Sequence, residues 1–332
     1  MSTRAIKRAA VIIAVFATTS LPALASAGTA PRSGVAWLKA QIGDEGFIPG
    51  IGGPNLSGTA ETALALEAQG KASATTINYL ANNIDAYVDG VETPSASNDD
   101  AGKLAMIILV GEAARPNSPF HIGSLARRLE ATQQPSGLFG ASDASYDGTF
   151  RQALSLAALA GAGRTTSDSS VSKGLEWLLA QQCGNGGFSA NVTAAPCDGR
   201  PEDYSGPDTN STAEALSALA AFSQPQGPGT PITSAVGFLA TVERSLPGWG
   251  WLPGNSADSN STALVITGLR AVGKDVSARS GRWARHGRSP LEGLRRYQDR
   301  SGGFRYQMSS PVPDLLSSEQ AVFALSGKAL PF

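Results

Sequence analysis

The sequence predicts an all-α protein, an α6/α6 toroid in which six helical hairpins form a double ring of twelve helices. Three observations predict this fold. A helix-start pattern recurs six times, with steps of 43, 47, 63, 50 and 56 residues between its anchor residues. A glycine-rich turn that ends in an aromatic residue recurs between those starts. The helices after each start are rich in Ala and Ser, whereas the helices between them carry bulkier side chains. Self-similarity at such a spacing indicates a repeat architecture.

The helix-start pattern places a polar residue four positions before a small or hydroxyl-bearing anchor. Its clearest copies are DTNSTA at residues 208–213 and DSNSTA at residues 258–263. The six copies begin at Asn55, Asn98, Ser145, Asp208, Asp258 and Asp314. Their anchors are Thr59, Gly102, Thr149, Thr212, Thr262 and Ser318. Asp, Asn and Ser are favoured where a helix begins. The pattern therefore predicts six equivalent helix starts at one end of the ring.

The glycine-rich turn ends the first helix of a repeat. Its clearest copy is QQCGNGGF at residues 181–188. Related turns begin at Gln41, Gln133 and Gln298 and end at Phe47, Phe139 and Phe304. A glycine ends the helix in a left-handed conformation, and we expect the aromatic ring to fold back onto the hydrophobic face. The fifth repeat has PGWGW at residues 247–251 instead, and the second repeat, residues 79–90, has lost most of the pattern.

Side-chain size predicts which helices form which ring. The second helix of each repeat is rich in Ala and Ser, and small residues let helix axes approach closely, as an inner ring requires. The first helices carry Trp, Leu, Lys and Arg, as an outer ring would. Alternating polar and apolar stretches are too short to predict strands of comparable strength.

The first 27 residues resemble a secretory signal. Arg4, Lys7 and Arg8 precede an apolar stretch at residues 9–17, and Ala-Ser-Ala follows at residues 25–27. We expect cleavage near Ala27, a single mature domain at residues 28–332, and a secreted or extracytoplasmic location. No later stretch reaches the roughly 18 apolar residues that a membrane span requires, so no stable membrane insertion is expected.

Charge and cysteine content limit the partners. The chain has 26 basic and 27 acidic residues, and three of the basic ones lie in the signal, so the mature chain is net negative and nucleic-acid binding is not expected. Cys183 and Cys197 lie 14 apart in one loop, which predicts a local disulfide in an exported protein. Free or metal-binding thiols are the alternative. His121 and His286 stand at unrelated spacings, so neither a metal site nor a cofactor is expected.

The Gln-x-x-x-Gly-x-Phe turns resemble the repeat of the squalene–hopene cyclase and protein prenyltransferase superfamily. The resemblance covers essentially the whole mature chain and implies the toroid fold. The same fold resembles the helical domain of the cobalamin carriers, intrinsic factor and transcobalamin, and the thioester domain of the complement proteins. A shared fold does not choose among these activities.

Each resemblance implies a reaction that requires particular residues, and the sequence shows whether they are present. The cyclases carry Asp-x-Asp-Asp-Thr-Ala, whose central acid protonates an alkene or epoxide, but here Asn210 and Ser211 stand in its place. The prenyltransferases need a zinc-binding Cys where Asn210 and Asn260 stand. The thioester domains need a Gln three residues after the Cys, where this chain has Gly186. The three reactions are therefore disfavoured.

The sequence favours a non-catalytic protein that binds a small molecule or a cell-surface component at one mouth of the cavity. The ligand classes considered are isoprenoids, corrinoids and glycans. The candidate binding residues are Asp208, Asn210, Asp258, Asn260, Asp314, Trp249, Trp251 and Tyr306. The cobalamin carriers complete their site with a separate small β domain, which is not expected in a sequence ending at Phe332.

Two other interpretations stay open. The first is an enzyme, cyclase-like or glycan-active, that uses acidic residues such as Asp208, Asp258, Asp314 or Glu214. The second is a purely structural role, in which the aspartates begin helices and one of the two tryptophans packs in the core. Capping boxes are also predicted for Ser211 with Glu214, and for Ser317 with Gln320.

Overall fold

The computed structural model describes residues 33–89, 99–141, 148–190, 197, 206–244 and 246–332. The predicted signal at residues 1–27 and the predicted helix starts Asn98 and Ser145 lie outside these residues. Pro31–Phe332 cluster as one compact unit. About half of the described residues, 51%, are helical, and the strands among them are few and short.

Six helices form the inner ring. They are α2 (Leu56–Ala68), α5 (Ala101–Ala113), α7 (Gly148–Gly161), α9 (Thr209–Ala221), α11 (Ser259–Ala271) and α13 (Leu315–Leu325). Each contacts the next along the chain, and α13 contacts α2, so the ring closes. The α/α toroid predicted from the repeats is thereby confirmed. The predicted start residues Asn55, Asp208, Asp258 and Asp314 cap four of these helices, whereas α5 is capped by Asp100, two residues after the predicted start Asn98.

Six further helices form the outer ring. They are α1 (Gly34–Lys39), α3 (Ala74–Asn82), α6 (Ile122–Ala131), α8 (Ser169–Ala180), α10 (Pro231–Val242) and α12 (Pro290–Arg295). A short extra helix, α4 (Ile84–Val88), follows α3. Each outer helix packs on the inner helix that precedes it in the ring: α3 on α2, α6 on α5, α8 on α7, α10 on α9 and α12 on α11. The first helix, α1, packs on the last, α13, and so completes the outer ring.

The inner helices approach one another closely where their residues are small. A Cβ atom added to Gly268 of α11 would lie 2.3 Å from the carbonyl oxygen of Ala213 in α9, which is far inside contact distance. The contact between these two helices is the most extensive in the molecule. The absence of a side chain at this position therefore sets the separation of the two helices.

In the last three repeats the same hydrogen bond joins the glycine-rich turn to the following inner helix. The backbone N–H of the turn aromatic donates to the anchor hydroxyl, at 2.9 Å from Phe188 to Thr212 and at 2.8 Å from Phe304 to Ser318. The Thr212 hydroxyl in turn donates to the carbonyl oxygen of Asp208 at 2.6 Å. The anchors thus tie the turns to the helix starts, which explains why the two patterns recur together.

In the third repeat a different residue makes this hydrogen bond. The backbone N–H of Phe139 donates to Oε1 of Gln152 at 2.8 Å, although the sequence pattern indicated Thr149 as the anchor. Both side chains are buried. A longer side chain, one helical turn further on, replaces the hydroxyl.

The first repeat shows that its sequence alignment was wrong by one residue. The backbone N–H that donates to Thr59 is that of Ile48, at 2.9 Å, not that of Phe47. Gly46 has a φ of 91°, matching the 93° of Gly186, so Ile48 takes the place of Phe188. Phe47 instead packs against the ring of Tyr79, with centroids 4.8 Å apart.

Two short antiparallel ladders, which the sequence did not predict, lie beside the inner-helix starts. Strand β1 (Ile48–Gly50) pairs with β2 (Gly53–Asn55), and β3 (Phe188–Ser189) pairs with β4 (Pro207–Asp208). Each ladder joins a turn to the residue that begins an inner helix. Strands of two or three residues are too short for a periodic signal in the sequence.

The predicted disulfide is confirmed. Cys183 and Cys197 are bonded, with Cα atoms 5.0 Å apart. Within the described part of the chain, none of the helices has the length and apolar character needed to cross a bilayer.

Candidate functional site

A cavity of about 340 Å³ lies between the inner helices, and all six of them contribute to its lining. Ten of the seventeen described lining residues are apolar. These are Leu64, Ala65, Met106, Phe150, Leu154, Ala263, Leu264, Leu316, Phe323 and Leu330. The polar ones are Glu61, Asn210, Glu214, Asn260, Thr267, Glu319 and Gln320. The cavity is thus an apolar chamber with a small set of polar groups.

Helix periodicity accounts for the lining. On α9 it is Asn210 and Glu214 that face the cavity, four residues apart and so one turn apart on one face. The corresponding two positions on the other helices also line the cavity. They are Asn260 and Leu264 on α11, Phe150 and Leu154 on α7, and Leu316 and Gln320 on α13. Glu61 of α2 occupies the second of these positions.

Three carboxyl groups face this chamber. Glu214 and Glu319 are each 3% exposed, and Glu61 is half-buried. Burial raises the pKa of Glu61 and of Glu214 to about 7. Burial, and then the neighbouring charge of Glu61, raises the pKa of Glu319 well above its ordinary value. Glu61 and Glu214 are therefore only partly ionised at neutral pH, where an ordinary carboxyl is fully ionised.

Hydrogen bonding differs among the three carboxyls. The Thr62 hydroxyl donates to Oε1 of Glu319 at 2.6 Å, which fixes that side chain. Oε2 of Glu214 is buried and has no hydrogen-bond partner among the described residues. No Lys, Arg or His is among the described residues that line the cavity. The site therefore has acceptors and proton donors, but no positive charge of its own.

Tyr87 of α4 lies near the same acidic cluster. Burial, and then the charges of Glu61, Asp100 and Glu319, raises the pKa of its phenol. Its hydroxyl thus stays protonated, and a hydrogen bond with the side chain of Ser57 acts in the opposite direction on that pKa. Negative charge accumulates on this side of the ring, between α2, α5 and α13.

The structure places the three predicted aspartates at helix N-caps. Oδ1 of Asp208 accepts from the backbone N–H groups of Asn210 and Ser211, both at 2.8 Å. Asp258 and Asp314 accept in the same way, from the residues three positions on, at 2.7 and 2.6 Å. None of the three is among the residues that line the cavity. Their predicted role in ligand binding stays a prediction.

The predicted capping boxes are wrong. Since Asp208 and Asp314 are the caps, Ser211 and Ser317 lie within the first helical turn. The residues predicted to reach back, Glu214 and Gln320, line the cavity instead. The caps lie three residues earlier than the sequence predicted. Glu214 and Gln320 therefore do not cap their helices and are candidate ligand contacts instead.

Burial perturbs two of the caps. It raises the pKa of Asp208 and of Asp258 to about 6, although hydrogen bonds from the helix act against it. The indole of Trp251 contributes one of the hydrogen bonds that lower the pKa of Asp208. Oδ1 of each of these two carboxylates is hydrogen-bonded to the start of its own helix.

Asn210 and Asn260 both line the cavity. The Thr209 hydroxyl donates to Oδ1 of Asn210 at 3.2 Å. The Ser317 hydroxyl donates to Oδ1 of Asn260 at 2.7 Å, and this hydrogen bond links α11 with α13. Each amide is thus oriented by a hydroxyl, with its carbonyl oxygen occupied.

The predicted aromatic candidates lie outside the lining. Trp249 has no exposed surface, and its Nε1–H donates to the carbonyl oxygen of Leu239 at 2.8 Å, so it fills the turn position in the core. Trp251 is half-buried, and its backbone carbonyl accepts from Thr209 at 3.0 Å. Tyr306 is 42% exposed and hydrogen-bonds Asp258. Roles for Trp251 and Tyr306 in binding stay predictions.

Comparisons with known proteins agree on the fold. No family model matches the sequence, and no curated protein matches it. The structure is similar to a type II terpene cyclase from Scytonema (TM-score 0.58, 15% identity, 88% of this chain and 95% of that one). It is also similar to Candida albicans protein geranylgeranyltransferase-I complexed with GGPP (TM-score 0.56, 13% identity, 81% and 83%).

A third solved structure belongs to a different class of protein. It is a possible member of the GH105 family from Salmonella enterica (TM-score 0.56, 11% identity, 89% of this chain and 92% of that one). Identities this low show the fold alone. The chain therefore has the α/α toroid fold that protein prenyltransferases, terpene cyclases and a GH105-type protein share.

Proposed function

We propose that this protein is an exported toroid that binds a largely apolar small molecule in its central cavity, without catalysing a reaction. The single observation that carries the proposal is the lining of the cavity, in which ten of seventeen described residues are apolar. A concave apolar chamber with a few polar groups is the usual form of a small-molecule site. The Cys183–Cys197 disulfide supports the exported location.

Among the ligand classes considered, the lining favours an isoprenoid-like molecule over a glycan. Every sugar hydroxyl that enters the chamber needs a polar partner, because an unpaired buried polar group costs free energy. The apolar positions on α7 and α13, such as Phe150, Leu154 and Phe323, offer none. They suit branched hydrocarbon instead.

The test is binding of apolar molecules to the purified protein, measured by native mass spectrometry and by thermal shift with farnesol as the probe. A Leu264→Trp variant fills the chamber and is expected to abolish the shift. A Leu246→Trp variant is the matched control, because Leu246 is 43% exposed and lies outside the lining. Failure of farnesol and other isoprenoids to bind, or an unchanged shift in Leu264→Trp, would refute the proposal.

Acid catalysis in the same chamber is the second candidate, and a specific observation favours it. Burial holds the pKa of Glu214 at about 7, so this carboxyl is a proton donor at neutral pH. Its Oε2 has no partner among the described residues and faces apolar walls. Turnover of a polyprenyl substrate that disappears in Glu214→Gln, with folding intact, would establish this candidate over simple binding.

A further inference from the structure

The acidic side of the cavity lacks a counterion. Glu214 is 3% exposed and lines the cavity, and its Oε2 has no hydrogen-bond partner among the described residues. A buried carboxylate without partner or counterion is costly. A native site that retains such a group indicates that something else satisfies it when the site is filled.

Glu61 and Glu319, on the other wall of the cavity, also lack a counterion among the described lining residues. They lie close enough for the charge of Glu61 to act on Glu319, and Thr62 supplies a hydrogen bond but no charge. Like charges in one site oppose each other's ionisation. Two neighbouring acids and a third across the chamber thus lack a positive partner within the described lining.

Positively charged side chains on the surrounding helices are directed to other partners. Lys103 of α5 donates to the carbonyl oxygen of Asp89, Arg151 of α7 donates to that of Phe139, and Arg270 of α11 donates to that of Ala324. Asp314 also acts on Glu319, and Asp100 acts on the neighbouring phenol of Tyr87. The described charged groups that act on Glu319 and on Tyr87 are therefore all acidic.

We propose that the ligand of this cavity is an organic cation, an amine with an apolar body, whose ammonium group pairs with Glu214 while Glu61 and Glu319 add negative potential from the other wall. The inference rests on the proposed function as a cavity binder and names the class of ligand. Among the described residues, no three His, Cys, Asp or Glu side chains stand close enough together to hold one metal ion. An ammonium donates up to three hydrogen bonds and carries the missing charge, while its hydrocarbon chain meets the leucine and phenylalanine walls.

Such binding has a defined pH dependence. The ammonium pairs with the ionised carboxyl, so it competes with the proton that Glu214 holds below pH 7. With one proton displaced and a carboxyl pKa of about 7, affinity is about tenfold lower at pH 6 than at pH 8. A neutral ligand that accepts a hydrogen bond from the protonated carboxyl shows the opposite trend.

Three probes of equal chain length separate these cases: octylammonium, 1-octanol and octanoate, titrated into the full chain by calorimetry at pH 6 and pH 8. Octylammonium is expected to bind at least tenfold more tightly than 1-octanol at pH 8 and to lose about tenfold at pH 6. Octanoate is expected to bind most weakly of the three, because the site already carries negative charge.

Variants locate the effect. Glu214→Gln is expected to weaken octylammonium at least tenfold and to change 1-octanol less than twofold. Glu67→Gln is the control, since Glu67 lies on the same helix as Glu61 but outside the lining, and both ligands should bind it as they bind the wild type. If circular dichroism shows Glu214→Gln to be unfolded, Glu319→Gln replaces it.

The outcomes distinguish this inference from the function on which it rests. Equal or tighter binding of 1-octanol, with no weakening of octylammonium at pH 6, overturns the cation proposal and leaves the apolar binder intact. No binding of any of the three probes overturns both. An octylammonium affinity that Glu214→Gln and Glu319→Gln leave unchanged also refutes the pairing.

Discussion

Asp208, Asp258 and Asp314 each place a carboxylate oxygen on backbone amides of the helix that follows. The repeated Asp is therefore accounted for by the start of the helix, and the cavity is lined by residues further along the same helices.

Removing one cap tests this assignment. Asp314→Ala is expected to destabilise the protein by about 1 kcal/mol, because the N–H of Ser317 loses its acceptor. Asp314→Asn keeps an acceptor oxygen and should cost only a fraction of that. Urea unfolding followed by circular dichroism measures both. Equal losses in the two variants would show that charge, rather than capping, matters at this position.

The buried carboxyl of Glu214 has a stability cost that depends on pH. Its pKa is raised from 4.5 to about 7 in the folded protein, so the folded state holds a proton that the unfolded state has already lost in this window. Stability therefore falls as the pH rises from about 4.5 to about 7 and then levels off, by about 3 kcal/mol for this group.

Glu214→Gln removes that dependence. The variant should match the wild type near pH 4.5 and be more stable at pH 8, as denaturant unfolding at both pH values would show. Glu176→Gln on the exposed face of α8 is the control and should change stability little at either pH. A wild type that is more stable at pH 8 than at pH 5, in the absence of ligand, would contradict the raised pKa.

The candidate site could be predicted in part from the sequence. Asn210 and Asn260 were identified because they repeat in register, and both line the cavity. Glu214 was named from the sequence as a possible catalytic acid, and the same helix position on α2 is Glu61, which was not named. Glu319 was not accessible in this way, since it lies one residue before the corresponding position, Gln320, and reaches the cavity between α13 and α2.

In four of the repeats a turn, an anchor hydroxyl and a helix start are joined by hydrogen bonds. Thr212 accepts from the N–H of Phe188 and donates to the carbonyl of Asp208. Those groups are buried, so the turn cannot exchange the bond for water. The pairing of the two sequence patterns is therefore a physical requirement of the hairpin.

Loss of the anchor hydroxyl should be costly. Thr212→Val keeps the shape of the side chain but leaves the N–H of Phe188 without an acceptor, at an expected cost of about 1–3 kcal/mol. Thr212→Ser retains the hydroxyl and should lose less. Thermal unfolding of the two variants is the measurement, and a Ser variant as unstable as the Val variant would argue against the hydrogen bond.

Two glycine substitutions test how closely the inner helices pack. Gly268→Ala places a Cβ 2.3 Å from the Ala213 carbonyl and is expected to destabilise by about 1–3 kcal/mol through overpacking. Gly237→Ala in outer helix α10 meets nothing within 4 Å and is expected to stabilise by about 0.5–1 kcal/mol. Equal effects in denaturant unfolding would contradict the ring assignment of these helices.

The whole ring could be predicted from the sequence, because the period and the small residues are local signals repeated six times. The register of the first repeat could not, since Phe47 and Ile48 are both hydrophobic and only the Thr59 hydrogen bond decides between them. The two ladders and the acidic cluster also escaped prediction, because they depend on which segments meet in space.

The ring closes through contacts between the two ends of the chain. Thr62 donates to Glu319, and Nε2 of Gln69 donates to the carbonyl oxygen of Val322 at 2.9 Å. Linear repeat arrays form interfaces only between sequence neighbours. Here the first and last hairpins also meet, so the wall that holds Glu61 and Glu319 requires both of them to be in place.

The contact between α2 and α13 is therefore the point at which the inner ring closes. A ligand that contacts both Glu61 and Glu319 would hold the first and last helices of the inner ring together. Thr62 and Glu319, which are hydrogen-bonded there, are separated by 257 positions along the chain. Binding and closure then share one free energy, so an occupied cavity should raise the stability of the whole ring.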